Sequence, residues 1–356
     1  MKNFCLLGIE TSCDETGLAL LSVKSKTKNS FFCTLHGQKL ASQVDLHNLY
    51  GGVVPELASR EHLKSLFPLT EQLFMESGIA KEELNCIAFT AGPGLNGALL
   101  TGASFATGLA ASLNLPVLPI NHLEGHILSG FFSHNALCTL DLFPFLVLLV
   151  SGGHTQLISA SGIGRYEVIG ETIDDAVGET FDKASQLLGL GYPGGPAIEK
   201  LSKFGDDRVF SLPKPLLNDK SLNFSFSGLK TAFMLQTKRI SKDVNYNQLK
   251  CDLAASLQKT VSEILVAKSR AAIRSTGFKK LIFAGGVAAN KNIRRTMLNL
   301  QKELEVDIFL PPANLCTDNG LMIAWAAALR LLSGKSSPVV AEKFDVRPRW
   351  PINKLQ

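Results

Sequence analysis

Two histidines four residues apart, His122 and His126, form the part of the sequence best suited to chemistry. On a helix, positions i and i+4 lie on one face, so both imidazoles could bind one divalent cation. A carboxylate from elsewhere, such as Asp318, would complete a two-histidine, one-carboxylate set that suits zinc or iron and leaves positions open to substrate. Two unrelated histidines that cap or pack a helix explain the pair alone equally well.

A zinc peptidase is the usual enzyme with such a pair, and the position of Glu124 argues against it. In the peptidase motif His-Glu-x-x-His, the catalytic glutamate directly follows the first histidine. Here Glu124 comes two positions after His122, which is roughly 200° around the helix at 3.6 residues per turn. Glu124 is therefore predicted to point away from the metal, and the pair predicts a metal centre without a peptidase's base.

Composition places the chain among ordinary globular proteins. A length of 356 residues suggests two domains, and 46% hydrophobic with 19% charged residues allows a full core and gives no sign of disorder. The seven cysteines include no Cys-x-x-Cys pair, which favours a reducing cytoplasm over disulfides or a thiolate zinc site. The apolar run 143–150 is far shorter than the ~20 residues of a membrane span, so we expect a cytoplasmic protein with no membrane partner.

The chain repeats one pattern. An apolar strand, a polar turn and a second strand occur at 4–23 and again at 145–159, and each pair resembles a hairpin. A short strand, a glycine-containing turn and a helix follow from 86 and again from 281. Strands that alternate with helices predict an α/β fold. We expect two similar lobes, 1–143 and 144–356, with both polar turns lining the cleft between them.

Glycine-rich turns at strand ends suggest a nucleotide site. Without Cβ, the backbone approaches a ligand closely, and successive N–H groups bind phosphate oxygens. Ser151-Gly152-Gly153, Gly285-Gly286 and the segment 192–196 are of this kind. Any one of them alone is usually a simple turn, but together they favour a nucleotide cleft. The sequence has no Walker A motif, and we expect neither a P-loop enzyme nor a dinucleotide binder.

Nine segments of the chain closely resemble the bacterial TsaD proteins, formerly described as glycoproteases. They occur in the same order from about residue 4 to Pro351, and they are 9–16, 50–56, the His122/His126 segment, 150–155, 181–183, 192–196, 224–230, 284–290 and 316–320. The resemblance implies two lobes of ribonuclease H type, as in actin, sugar kinases and heat-shock ATPases. It also implies transfer of a threonylcarbamoyl group from threonylcarbamoyl-adenylate to N6 of the adenosine beside the anticodon, in tRNAs that read codons beginning with A.

The resemblance also implies site residues. His122, His126 and Asp318 would hold one divalent metal per subunit, Fe2+ in the first place and Zn2+ as the alternative. The donor or its nucleotide would lie against Leu149, Val150, Ser151, Gly152, Gly153, Asp182, Gly195, Glu199 and Asn290. Archaeal and eukaryotic relatives have a metal-binding tyrosine where this chain has Leu149, so one metal position is expected to stay open to donor or water.

The chemistry implied is a displacement at a mixed anhydride of a carbamic acid and a phosphate. AMP leaves easily and the conjugated adenosine amine is a poor nucleophile, so positioning and charge stabilisation should dominate. Asp182 or Glu199 is a candidate for the ribose hydroxyls, and His154 is a candidate base whose role the sequence does not establish. A helix ion pair for Asp182 and a helix cap for Asn290 are the structural alternatives.

Three partners follow from the resemblance: tRNA, the smaller paralogue TsaB, and the ATPase TsaE. The helix predicted from Glu56 to Ser77 is the candidate surface for TsaB. Two basic runs, 279–302 and 347–354, could contact tRNA or form solvated surfaces. A metallopeptidase and a non-catalytic nucleotide-binding subunit remain as alternative functions; Glu124 opposes the first, and the intact metal set opposes the second.

Overall fold

The structure, a computed structural model, describes residues 3–340 and 344–355. Its strands in chain order are β1 (Asn3–Glu10), β2 (Glu15–Ser25), β3 (Ser30–Ser42), β4 (Cys86–Gly92), β5 (Val117–Asn121), β6 (Leu137–Thr139), β7 (Phe145–Val150), β8 (Thr155–Gly162), β9 (Arg165–Glu171), β10 (Lys280–Ala284) and β11 (Asp307–Phe309). Its helices are α1 (Val44–Asn48), α2 (Pro55–Ser77), α3 (Asn96–Ser112), α4 (His122–Ser129), α5 (Val177–Leu187), α6 (Gly194–Ser202), α7 (Ser227–Ile240), α8 (Tyr246–Thr276), α9 (Lys291–Leu304), α10 (Ala313–Cys316) and α11 (Gly320–Leu332).

The strands form two sheets with the same core topology. One sheet has the order β5-β4-β1-β2-β3-β6, and the other has the order β11-β10-β7-β8-β9. In the first, β1 pairs antiparallel with β2 and parallel with β4. In the second, β7 pairs antiparallel with β8 and parallel with β10. The two predicted hairpins and the predicted α/β class are therefore confirmed, and the pattern repeated in the sequence corresponds to a repeated sheet.

The chain divides into two compact units, one for each sheet. The first comprises Met1–Phe143, Ser161–Tyr166 and Thr317–Gln356, and the second comprises Pro144–Ala160 and Glu167–Cys316. The expected division into 1–143 and 144–356 differs from this one, because two later segments join the first unit. The larger of them contains α11, which packs against β1 and β2. Asp318, expected in the C-terminal lobe, therefore belongs to the first unit.

Three glycines allow α11 to reach the first sheet. A Cβ on Gly8 would lie 2.5 Å from the carbonyl oxygen of Gly320, and a Cβ on Gly17 would lie 2.6 Å from the backbone nitrogen of Gly320. A Cβ on Gly320 would in turn lie 2.5 Å from the carbonyl carbon of Leu18. Since the neighbouring atoms are backbone, none of them can move aside cheaply. The start of α11, and with it Asp318, is thus held against the β1–β2 hairpin.

Each unit has its own hydrophobic core. In the second unit every residue of β7 is buried, as expected for a central strand covered on both faces. The long helix α8 contributes Leu253, Leu257, Val261 and Ile264 to the same core, and it ends at Gly277 with φ +70°, the left-handed conformation that glycine adopts readily. No helix among the described residues has both the length and the apolar character needed to cross a membrane.

Candidate metal centre and glycine-rich turns

Helix α4 carries His122 and His126 on one face, as the spacing predicts. Asn121 caps the helix, because its side-chain oxygen accepts hydrogen bonds from the backbone N–H of Leu123 and Glu124 at 2.9 and 3.3 Å. The Oδ1 atom of Asp318 lies 3.0 Å from Nε2 of His126 and 3.6 Å from Nε2 of His122. One ligand atom from each of the three residues lies within 4.8 Å of the others. The three predicted ligands therefore meet within the first unit.

Two residues of the β1–β2 hairpin orient His122. Its Nδ1 lies 3.1 Å from Oε2 of Glu10 and 3.0 Å from Oγ of Ser12. Glu10 is fully buried, and its other oxygen, Oε1, accepts from the backbone N–H of Ser12 at 2.5 Å. A carboxylate on one ring nitrogen places the proton there and leaves the other nitrogen as a ligand. Glu10 and Ser12 thus present Nε2 of His122 towards Asp318.

The electrostatics of this group favour a cation. Burial lowers the pKa of His122, but the carboxylates of Asp318 and Glu10 outweigh burial and raise this pKa to about 9. Burial likewise raises the pKa of Asp318, and the two histidines more than reverse this effect. Nearby, burial and then the charges of Asp318 and Asp14 raise the pKa of Glu15 to about 10. The lowered pKa keeps Asp318 negatively charged between the two imidazoles, which suits a divalent ion.

Glu124 does not serve this centre. Its carboxylate accepts from the Tyr166 hydroxyl at 2.9 Å and from the Gly164 backbone N–H at 3.2 Å, and it forms a buried ion pair with Arg330. Both oxygens are therefore engaged by groups other than His122 and His126. The prediction that Glu124 points away from the metal is confirmed, and the base that a zinc peptidase requires is not supplied by this residue.

The second unit places a contrasting turn after β7. Ser151 and His154 close it, since the Ser151 N–H donates to the His154 carbonyl at 2.8 Å and the His154 N–H donates to the Ser151 hydroxyl at 3.1 Å. Gly152 and Gly153 are exposed, and a Cβ on either would meet no atom within 4 Å. A Cβ on Gly178, at the start of α5, would lie 2.6 Å from the Ser151 carbonyl oxygen. The turn is supported from one side and open on the other.

Leu149 and Val150 are buried residues of β7, so only their backbone could contact a ligand. The glycine-rich turn after β10 lies beside them, because a Cβ on Gly285 would lie 2.5 Å from the carbonyl oxygen of Val150. Asp182 accepts from the Gly194 N–H at 2.7 Å and so supports the start of α6. At Gly195 a Cβ would meet no atom within 4 Å.

Glu199 lines a cavity of about 290 Å³. Its Oε1 accepts from the Lys291 N–H at 3.0 Å, at the start of α9. The remaining residues around the cavity are Ser202, Lys203, Gln258, Lys291, Asn292 and Arg295. Asn290 lies just behind it: its side-chain oxygen caps α9 and its amide donates to Gln258 at 2.8 Å. The helix-cap interpretation of Asn290 is confirmed, and one amide hydrogen remains for any other contact.

Comparison with known proteins now decides the family. A family model described as TsaD, tRNA N6-adenosine threonylcarbamoyltransferase, matches residues 34–325. The chain is 50% identical over 356 residues to the protein of that name from Albidiferax ferrireducens, with 98% of each chain covered. It is 49% identical over 355 residues to that of Paracidovorax citrulli, covering 100% of this chain and 99% of the relative. The chain belongs to the TsaD family. It is an acyltransferase that transfers a threonylcarbamoyl group to N6 of adenosine in tRNA, and the transferase interpretation is confirmed.

Solved structures agree on the fold of this TsaD family member. HypF from T. kodakarensis is similar with a TM-score of 0.57 and 12% identity, over 93% of this chain and 48% of HypF. A full-length HypF in the phosphate- and nucleotide-bound form gives 0.55 and 14%, over 93% of this chain and 47% of that one. This chain thus spans about half of HypF. The expected fold, of actin, sugar-kinase and heat-shock-ATPase type, is confirmed.

Glu10 and Ser12 lie within the family segment 9–16, but no role for them was predicted from the sequence. A carboxylate at the end of an apolar strand, followed by three hydroxyl or thiol residues, was the available signal. In the basic run 279–302, Arg294 is removed from the possible tRNA contacts. Its guanidinium donates to the carbonyl oxygens of Ala288 and Pro311, both at 2.9 Å.

Proposed function

We propose that His122, His126 and Asp318 hold one divalent cation that takes part in the threonylcarbamoyl transfer. The observation that supports this most is the convergence of their ligand atoms within 4.8 Å, with Glu10 behind His122. Two imidazoles and one carboxylate form the donor set of non-haem iron sites, and they also suit zinc. We propose Fe2+ in the first place, with Zn2+ as the alternative. When bound, the cation would act as a Lewis acid towards the donor's oxygens.

We propose that the second unit holds the adenylate part of the donor. The open glycines of the turn, Gly152 and Gly153, leave backbone N–H groups accessible to phosphate oxygens. Glu199, at the wall of the cavity, is placed to accept ribose hydroxyls. Gly195, whose position is open, would also lie against the nucleotide. Leu149 and Val150 would contact it through their backbone only. Asp182 and Asn290 would act mainly by holding the starts of α6 and α9.

This arrangement fits the demands of the reaction. The mixed anhydride of threonylcarbamoyl-adenylate releases AMP readily, so the chain needs to supply little acid catalysis. Its contribution would be to hold the donor still and to present it to the adenosine amine. The backbone N–H groups of Gly152 and Gly153 would stabilise negative charge on the phosphate as the bond to AMP breaks. We assign no base, and His154 keeps only the status of a candidate.

Helix α2 supports a protein partner. Leu63 and Phe67 lie one helical turn apart and are 72% and 65% exposed, and Met75, eight residues after Phe67 and beyond Glu71, is 77% exposed. Leu66, Leu73 and Phe74 face the core. An exposed apolar stripe of this kind marks an interaction surface. We propose that it receives the TsaB paralogue, and that the ATPase TsaE and cytoplasmic tRNA complete the system.

The metal assignment is tested with Asp318→Ala, because Oδ1 of this residue lies near both imidazoles. We expect elemental analysis of the folded variant to find most of the bound metal lost. Mass analysis of anticodon-loop nucleosides, after incubation with tRNA, threonine, bicarbonate, ATP, the donor synthase and the partners, should find no modification. Asp345→Ala, at an exposed aspartate, is the control. Full metal content in Asp318→Ala would contradict the assignment.

The partner assignment is tested with Phe67→Asp, which places a charge in the middle of the exposed stripe. We expect this variant to fold and bind metal normally but to lose co-purification with TsaB and tRNA modification. Gln72→Asp, which places the same charge at an exposed position roughly 140° around the helix from Phe67, should keep both. We also expect the isolated chain to show little or no turnover until TsaB, TsaE and ATP are added; repeated turnover by the chain alone would exclude the requirement for partners.

A further inference from the structure

A row of buried polar side chains lies in the first unit, apart from the proposed metal ligands. His47 and His62 are each 0% exposed, and Gln43 between them is 7% exposed. Buried polar groups are unfavourable unless hydrogen-bonded, so two fully buried histidines require defined partners. The proposed function uses none of these three residues. They connect the start of α2 with the turn that follows β1.

The hydrogen bonds along this row run in one direction. The Val54 N–H donates to Nδ1 of His47 at 3.2 Å, so the proton of His47 lies on Nε2, which donates to Oε1 of Gln43 at 3.1 Å. The Gln43 amide donates to the Ala58 carbonyl at 3.3 Å and to Nδ1 of His62 at 3.5 Å. Every donor in this row of hydrogen bonds meets an acceptor, which fixes the neutral tautomer of His47.

His62 carries the row to the turn. Its Nδ1 also accepts from the Thr16 hydroxyl at 2.8 Å, so its proton lies on Nε2, which donates to the Cys13 carbonyl at 3.0 Å. Burial lowers the pKa of His62, in keeping with a neutral ring. The backbone N–H of Gln43 donates to the carbonyl of Asp14, the residue after Cys13, at 3.0 Å. Two successive carbonyls of the turn are therefore held from this side.

The same turn orients a proposed metal ligand. Ser12, the residue before Cys13, places its Oγ 3.0 Å from Nδ1 of His122. The backbone N–H of Ser12 donates to Oε1 of Glu10. A displacement of the Cys13 carbonyl would move Ser12 and alter both contacts. Interactions behind the ligands affect metal affinity because they determine how the ligating nitrogens are aimed.

We propose that His62 is a positioning residue for the metal centre, which acts by donating from Nε2 to the Cys13 carbonyl and so holding the turn that aims His122. The inference rests on the proposed metal centre in the same unit. It differs from a purely structural role in one consequence: the coordination of the ion, and not only the stability of the fold, depends on the hydrogen bonds of His62.

The first test is made on the unaltered, metal-free chain labelled with 15N-histidine. Long-range 1H–15N correlation spectra should find that His62, assigned by the loss of its signals in His62→Gln, stays neutral with its proton on Nε2 between pH 6 and 8. A neutral ring with its proton on Nδ1 would overturn the proposal, because Nε2 could then not donate to the Cys13 carbonyl. Because the measurement requires only the unaltered chain and His62→Gln, it remains informative if His62→Leu does not fold.

The second test uses Co2+ as the probe, since its absorption reports coordination geometry. We expect His62→Leu to weaken Co2+ binding about tenfold and to change the absorption bands, by analogy with residues behind metal ligands. His62→Gln, which keeps a donor and an acceptor, should restore affinity to within about threefold. His36→Leu is the matched control, because it removes another histidine–hydroxyl contact, that of His36 Nε2 with Ser22 Oγ at 2.8 Å, on β3.

The outcomes separate the two proposals. If the unaltered chain binds Co2+ through His126 and folded His62→Leu keeps the same affinity and spectrum, the positioning role is wrong and the metal centre stands. If the unaltered chain binds no Co2+, both proposals are wrong. If His62→Leu and His62→Gln are impaired equally, packing rather than hydrogen bonding is responsible, and the positioning role is again wrong.

Discussion

The turn after β1 and the turn after β7 occupy the same place in two sheets of the same core topology, yet they differ in accessibility. In the first turn Thr11, Ser12 and Asp14 are buried. A Cβ on Gly94 would lie 2.6 Å from the Ser12 carbonyl oxygen, which shows how closely the neighbouring chain covers this turn. In the second turn Gly152 and Gly153 are exposed and have open space beside them.

The difference shows how one topology supports two tasks. The closed turn has all its neighbours fixed, so it suits side chains that must aim an imidazole. The open turn contains two glycines, which have no side chain, so it suits a ligand that must approach the backbone. The side chains and the segments packed around each turn decide the task, since the strand order is shared.

Variants that damage one of the two proposed sites at a time should each lose one ligand and keep the other. His126→Ala should bind the metal at least 100-fold more weakly, because one of its three ligands is gone, and it should keep its affinity for AMP. Gly152→Val should keep metal and lose AMP binding by at least tenfold, because its side chain fills the open space. Elemental analysis and calorimetry with AMP measure both. Loss of both ligands in either variant would mean that the two turns do not work separately.

Glycine substitutions compare the closed and open turns in energy. Gly94→Ala should lower the free energy of unfolding by about 1–3 kcal/mol, because its methyl group meets the backbone of Ser12. Gly153→Ala should change it by less than about 0.5 kcal/mol, since nothing lies within contact distance. Urea unfolding followed by circular dichroism provides both values. Equal effects would show that the second turn is as tightly enclosed as the first.

The role of the closed turn in aiming His122 is tested with Glu10→Gln. Loss of the carboxylate behind the ligand should weaken metal binding about 10- to 100-fold, while AMP binding stays unchanged. Competition with a metal indicator measures the affinity. Glu56→Gln, at an exposed residue of α2, is the control and should leave it unaltered. An unchanged metal affinity in Glu10→Gln would show that the Glu10 carboxylate does not orient His122 for metal binding.

A smaller effect is expected from pH. In the metal-free chain Asp318 and Glu10 raise the pKa of His122 to about 9, so below that pH the imidazole holds a proton that an incoming ion must displace. Metal affinity should therefore rise by up to about tenfold per pH unit from 6 towards 9 and level off above it. AMP binding should follow no such trend. A metal affinity independent of pH across this range would contradict protonation of His122.

Local patterns in the sequence determined much of this protein. The i,i+4 spacing put His122 and His126 on one helix face, and the offset of Glu124 removed it from them, because helix geometry follows from spacing alone. Alternation of apolar runs with polar turns gave both hairpins and the α/β class. The resemblance of nine segments supplied the family and, through it, Asp318.

The tertiary structure decided what depends on residues far apart in the chain. Asp318 and His126 are 192 positions apart, and Glu10 and His122 are 112 apart, so no local period relates them. The return of α11 to the first sheet follows from close backbone contacts of Gly8, Gly17 and Gly320, which carry no periodic signal. For the same reason the buried partners of Glu124 and His62 were visible only after folding had brought them together.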